Sequence, residues 1–335
     1  TMSSLKSIKT DSTIFIILLL FNTSCSSKIS TGSQVNRDVL ILDNYVDILS
    51  PDERYNSRTF SSIIKVDSEY QIYYSVRDRK TGEYSIYRNS SKDYKKFDNN
   101  DEIEIIPNNT SSYSFFHVYV PYVFFEEGKY NMIFTSREYE NDFFESIHIA
   151  TSLDSINWEV NLNPILIPEF EWEGNEIENW GVIKVGSKYY LNFESAGPNR
   201  LLEERNIGIA YSEDLINWEK LSPDPAIKNS VYCASFFSYN NEIYMIVPNL
   251  YKFKIYRFTS FEKLSEEDLI GYYEPYDSSL KVILDTPDVI TSDIRKEVYP
   301  EDELNFVFGT YRDGEWFTTL SKFKNVDEFL NQIKQ

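Results

Sequence analysis

The chain has 335 residues, a formal net charge of −20 at pH 7 and 16% aromatic residues, among them 26 Tyr and 23 Phe. So acidic a surface repels nucleic acid and anionic membranes, and the aromatic content excludes a disordered chain. Two cysteines, Cys25 and Cys233, and two histidines, His117 and His148, give neither a disulfide framework nor the ligand spacing of a catalytic zinc site. No metal or other cofactor is expected.

In chain order, Lys6 and Lys9 come first, followed by the apolar run Ile14–Phe21. Eight residues are too few to span a bilayer, so the run reads as a signal-peptide core. Small residues lead from it to Cys25 in "FNTSCSS", which resembles a bacterial lipoprotein cleavage site. The expectation is removal of residues 1–24 and lipidation of Cys25, with a flexible Ser-rich tether over 25–35. That anchor would be the protein's only membrane contact, at the cell envelope; plain secretion is the alternative.

Beyond the tether, short aromatic strands recur: "YQIYYSV" from Tyr70, "YNMIFTS" from Tyr130, "YYLNFES" from Tyr189, "EIYMIVP" from Glu242 and "LNFVFGT" from Leu304. Turn signals precede them and the step is close to 60 residues. In two units the next strand ends in the same phrase, Ser-x-Asp-x-x-x-Trp, at Ser152–Trp158 and Ser212–Trp218; Asp93 and Phe97 keep a faded copy. Several strands per unit, repeated five times, predict an all-β fold, a five-bladed β-propeller over residues 36–335, expected as a monomer. Asp154 and Asp214 should tie their turns through backbone N–H groups. Trp158 and Trp218 should be buried between blades rather than serve as ligand platforms. His148 reads as a satisfied strand residue and Cys233 as an inert buried thiol. Near the end, Phe329, Leu330 and Ile333 give "NVDEFLNQIKQ" a helical face.

The phrase Ala-x-Ser-x-Asp-x-x-x-Trp, together with "VGSKYYL", resembles the five-bladed propellers of the arabinanase, levansucrase and invertase superfamily, which includes glycoside hydrolase families 43 and 32. The resemblance implies three carboxylates on innermost strands: an Asp base or nucleophile in the first blade, an Asp that tunes pKa in the second, and a Glu acid in the third. Such chemistry needs two carboxyls flanking the scissile bond, one protonated and one not, and a third helps hold their pKa values apart. "ENWGVIKVGSKYYL" places Glu178 at the acid, with Trp180 where the family often has Pro. In "VYVPYVFF", Tyr122 replaces the tuning Asp. No carboxylate stands near Thr59 or Phe60, where the base belongs. Asp52, Glu53 and Glu194 are the candidates for that role, with Asp288 and Asp293 behind them.

Blade equivalence also brings Arg58, Arg77, Arg137 and Arg312, with His117, Tyr119, Tyr122 and Trp180, toward one mouth of the channel as substrate-binding candidates. Four guanidinium groups there would suit a carboxylate or phosphate; alternatively they pair with Glu178, Glu194 and Asp78. The resemblance implies an exported propeller acting on a polysaccharide or oligosaccharide. A non-catalytic glycan-binding lipoprotein and a phosphate-using glycoside phosphorylase relative are the other two readings.

Overall fold

A computed structural model describes residues 45–92, 97–107, 115–139, 142–197, 205–230, 232, 234–275, 283–289, 304–312, 315–323 and 325–335. Cys25, Asp93, Cys233 and Asp293 lie outside the described residues, as do the side chains of Asp288 and Arg312.

Strand β1 (Tyr45–Leu49) precedes the first blade, which consists of β2 (Tyr55–Val66), β3 (Glu69–Asp78), β4 (Tyr84–Ser91) and β5 (Ile103–Ile106). The second blade is β6 (His117–Glu126), β7 (Lys129–Tyr139), β8 (Asp142–Ser152) and β9 (Glu159–Val160). The third is β10 (Glu178–Val185), β11 (Lys188–Ser195), β12 (Asn206–Ser212) and β13 (Glu219–Lys220), with β14 (Ile227–Lys228) also on β12. The fourth is β15 (Ser235–Tyr239), β16 (Glu242–Asn249), β17 (Lys252–Phe258) and β18 (Leu269–Tyr273). The fifth runs β19 (Ile283–Val289), β20 (Leu304–Arg312), β21 (Glu315–Phe323), and takes β1 as its outer strand, antiparallel to β21. Ser57 and Trp316 form a parallel pair that joins the first and fifth blades. The five-bladed expectation holds. What the repeat did not reveal is that the strand before the first blade completes the last one, which covers an edge that would otherwise stand open.

The repeated phrase behaves as its residue types require. Oδ1 of Asp154 accepts from the N–H groups of Ile156 and Asn157, and its Oδ2 accepts from the Asn157 side chain at 2.7 Å; Asp214 repeats this with Ile216 and Asn217. Hydrogen bonds from Asn157 and Asn217 hold both carboxyls well below the usual range. Trp158 meets Tyr73 of the first blade edge-on at 5.8 Å, and Trp218 joins a core shared by the second and third blades. The two indoles are half-buried rather than buried, because each caps the outer end of an interblade core. His148 is satisfied as expected, between Ser146 Oγ and the Asn161 carbonyl, each at 3.1 Å. The C-terminal helix, α1 (Val326–Leu330), is capped by Asn325. It stops short of the expected stretch because Lys334 pairs with Tyr272 of β18 as an extra edge strand.

A second repeat lies in the inner strands. Register shifts fall between Thr59 and Ser62, Tyr119 and Tyr122, and Asn179 and Gly181. The bulged residues Phe60, Val120 and Trp180 are one 60-residue step apart. Phe60 and Val120 have φ of 51° and 56°, a conformation that costs a bulky or β-branched side chain energy and that gathers at functional sites. Polar ties hold the bulges in place: Ser75 Oγ accepts from the Val120 N–H at 2.9 Å. Asn179, fully buried, accepts from Thr135 Oγ1 at 2.9 Å and donates to the Val120 carbonyl at 3.3 Å.

Candidate active site

The bulges place Phe60, Tyr119, Val120 and Trp180 in one aromatic cluster that Tyr84 joins. Trp180 meets Phe60 at 6.0 Å, and Tyr84 stacks on Tyr119 with ring centres 5.6 Å apart. Immediately beside this cluster lies Glu178, first residue of β10. Its Oε1 accepts from the Tyr119 hydroxyl at 3.1 Å. Directly opposite on β11 stands Glu194, which is buried and ion-paired with Arg205.

Two more buried carboxylates come from flanking positions. Glu145 in β8 is the cross-strand partner of Arg137, whose Nε donates to it at 2.7 Å. Glu176 bridges to Glu145 through the backbone in the segment leading into β10. The Glu145 N–H donates to the Asn175 carbonyl at 2.9 Å, so blade two fixes the approach to Glu178.

Burial is the main cause that raises the Glu178 pKa above its ordinary value, and the Glu145 carboxylate adds to it; Arg205, the Tyr119 hydroxyl and Arg137 pull the other way without reversing the direction. Burial also raises the Tyr119 hydroxyl well above its ordinary value, and Glu145 and Glu178 add to that, so the phenol stays a donor. His117 is pushed down to about 3 by burial and by Arg137 and Arg77. Its Nδ1 accepts from the Tyr84 N–H at 3.2 Å, so the ring is neutral with its proton on Nε2.

Of the residues singled out in the sequence, the structure thus brings together Glu178, Glu194, Tyr119, Trp180, Arg137 and His117, with Arg77 beside Tyr84. Arg58 and Asp52 belong to a different network. Arg58 is fully buried; it donates to Asp52 Oδ2 at 2.7 Å, to both oxygens of Glu102 at 3.0 Å, and to the Ser50 carbonyl at 2.8 Å. Burial tends to raise the Asp52 pKa, but the Tyr55 N–H and Arg58 outweigh it and the net direction is down. Glu53 is exposed, and Tyr122 is buried between blades two and three with its hydroxyl donating to the Val182 carbonyl at 3.1 Å. Sequence reasoning missed Glu145, Glu176, Arg205 and Tyr84. Glu145 did carry a signal: it faces Arg137 across a hairpin, an opposite-charge pair at strand ends.

No family model matches the chain. A stretch of 77 residues, 23% of the chain, is 35% identical to a β-1,2-mannobiose phosphorylase of Thermoanaerobacter sp. strain X514; the match spans a quarter, 25%, of that relative's length. Among solved structures, Zg3597, a family 117 glycoside hydrolase of Zobellia galactanivorans, superposes with a TM-score of 0.63 at 13% identity, covering 85% of this chain and 91% of that one. The catalytic domain of a family 62 α-L-arabinofuranosidase from Coprinopsis cinerea gives 0.59 at 11%, covering 83% and 96%. A structure of the family 130 mannoside phosphorylases, a family containing hydrolases of β-1,2 mannosidic linkages, gives 0.56 at 14%, covering 86% and 96%. The chain shares the propeller fold of these glycoside hydrolases.

Proposed function

We propose that the protein is an exported glycan-directed propeller that hydrolyses a glycosidic bond at the mouth built around Glu178, with Glu178 as general acid. The observation that carries this reading is the pairing of a carboxyl held toward its protonated form with buried carboxylates beside it, the asymmetry that acid-assisted glycoside cleavage uses. Glu145 and Glu176 join Glu194 among the candidates for the base; Glu194 and Glu145 each carry an arginine partner. Asp52 is a weaker candidate because Arg58 already occupies it.

The test is release of reducing sugar from a panel of polysaccharides and oligosaccharides by the full chain and by Glu178→Gln. Turnover lost with binding retained supports the acid role. Binding with no turnover in either protein supports the non-catalytic reading, for which the Tyr in place of a tuning Asp at position 122 speaks.

A second reading, phosphorolysis, is favoured by the 77-residue similarity to a mannobiose phosphorylase. It requires phosphate beside the bond being cleaved. Product formation that depends on added inorganic phosphate, with a sugar phosphate released, would establish it in place of hydrolysis.

We propose further that residues 1–24 are a signal peptide and that Cys25 bears the lipid that attaches the propeller to the cell envelope.

A further inference from the structure

We propose that Arg77 and His117 form a subsite for a sugar carrying an anionic group, a uronate carboxylate or a sulfate ester, so that the ligand is an acidic glycan. This deepens the glycan-directed reading and rests on it.

Ion pairing separates Arg77 from the other arginines around the mouth. Arg58 is bound by Asp52 and Glu102, Arg137 by Glu145, and Arg205 by Glu194. Arg77 has no carboxylate partner among the described residues. Its Nε donates to the Gly82 carbonyl at 3.2 Å and its guanidinium lies 5.6 Å from the centre of the Tyr84 ring. Gly82, with φ of +75°, makes the turn that delivers that carbonyl. These contacts fix the planar group by one edge and one face, and leave its two terminal nitrogens as donors. In a chain with 53 acidic residues against 33 Lys and Arg, a guanidinium held by one edge and one face yet without a carboxylate is set to take one from a ligand.

His117 lines the same place. The ring is 8% exposed, its Nδ1 accepts from the Tyr84 N–H, and the Phe116 backbone is a further hydrogen-bond partner of the ring. The two groups are linked through Tyr84, which is the cross-strand partner of Arg77 and meets the His117 ring at 5.4 Å. Both side chains are thus held by the same residue, and the terminal N–H groups of Arg77 are the donors that suit an oxyanion.

The position identifies what the anion belongs to. An attacking phosphate would have to sit beside Glu178, where the cations are Arg137 and Arg205, each already neutralised by a carboxylate. Arg77 is separated from Glu178 by Tyr119 and the Tyr84 ring stacked on it. An anion there is carried by a sugar further along the ligand, as a substituent rather than as a reactant. Guanidinium recognises carboxylate and sulfate oxygens alike through paired N–H donors.

The test is a glycan array bearing uronic-acid and sulfated polysaccharides beside the same polysaccharides after carboxyl reduction or desulfation, probed with the full chain. The expected result is a preference of about ten- to a hundredfold for the anionic form, the scale of a charge-assisted hydrogen bond. Loss on carboxyl reduction identifies a uronate and loss on desulfation a sulfate ester. Arg77→Gln should abolish the preference and Arg77→Lys should keep part of it, with both variants matched to the parent in melting temperature. Equal binding of anionic and neutral forms overturns the subsite while leaving the glycan reading intact. Binding to no glycan of either kind overturns both. Displacement of a bound acidic glycan by 10 mM inorganic phosphate, in step with phosphate-dependent product formation, overturns the subsite in favour of phosphorolysis.

Discussion

The Tyr119 hydroxyl donates to Oε1 of Glu178 at 3.1 Å, across the boundary between the second and third blades. Tyr119 stands one residue before the bulge at Val120, and Glu178 two residues before the bulge at Trp180, on successive inner strands. A hydrogen bond donated to a carboxylate favours its ionised form, so this contact works against the burial and the Glu145 charge that raise the Glu178 pKa. Tyr119→Phe should therefore raise that pKa further. If Glu178 is the acid, the alkaline limb of the pH–rate profile moves up by the same amount, while substrate affinity changes little. An alkaline limb that stays put in Tyr119→Phe would remove Glu178 from the role.

Glu178→Gln has two separable consequences. Turnover should drop by at least about a hundredfold, the usual contribution of a positioned acid. Stability should change with pH in a stated direction. A carboxyl whose folded pKa is raised contributes fully below its unfolded value, near 4.5, and that contribution is lost as pH rises through the folded value. Gln suffers no such loss. Melting temperatures of parent and variant should therefore agree near pH 4 and separate above it, with the variant higher at neutral pH. A gap that is the same at every pH would mean that Glu178 is not perturbed.

Much of the fold was legible because a propeller writes each unit out in turn. Aromatic alternation gave the strands, and the Asp-x-x-x-Trp phrase gave the turn into the outer strand, since one carboxylate accepting two backbone N–H groups needs Asp at that place. The role of β1 was not legible, because closure pairs residues 45–49 with β21, far away in sequence and outside the repeat. The site was only partly legible. Glu178 follows from the resemblance. Glu145 and Arg205 come from other strands and segments, Glu145 from the second blade, and neither stands at a place the repeat marks. Arg58 shows the converse: it holds the place in the first blade that Glu178 holds in the third, but Glu102 and Asp52, which come from outside that strand, receive its guanidinium.

That network yields a prediction about Arg58. Arg58→Met leaves Glu102, with a side chain only 13% exposed, without its cation. Removal of one partner from a buried pair costs about 3–5 kcal/mol, and denaturant unfolding should show a loss of that order. Asp52→Asn keeps the shape and removes one charge from a carboxylate whose side chain is 40% exposed, so its effect on stability should be far smaller. If Asp52 is only a partner of Arg58, Asp52→Asn retains the parent rate. A rate loss of a hundredfold or more would return Asp52 to the list of candidate bases.

Cys25→Ala should release the protein from washed membranes into the soluble fraction without altering its melting temperature, as a lipid anchor outside the propeller requires. Retention on membranes by the variant would count against lipidation at that residue.

Ring closure gives the last prediction. In β1, Ile48 and Leu49 are 3% and 1% exposed and pack in the same core as Val307 and Leu320 of the last blade and Ile63, Ile72 and Tyr74 of the first. Asp47 accepts from Thr319 Oγ1 at 2.9 Å in the same strand pair. A short outer strand so placed joins the first and last blades through side chains, where among the described residues the backbone pairing of the two is Ser57 with Trp316. Leu49→Ala should cost about 2–5 kcal/mol, the range for a buried Leu whose cavity cannot fully collapse. Equivalent truncation of Leu153, which is 84% exposed at the tip of the second blade, should cost almost nothing. Removal of residues 45–49 altogether exposes the edge of β21 and this core together, so the shortened protein should associate or aggregate at concentrations where the parent does not. Size-exclusion profiles and denaturant midpoints decide the matter: a shortened chain that runs as the parent does, with an unchanged midpoint, would mean that the ring is held by its inner strands and not by β1.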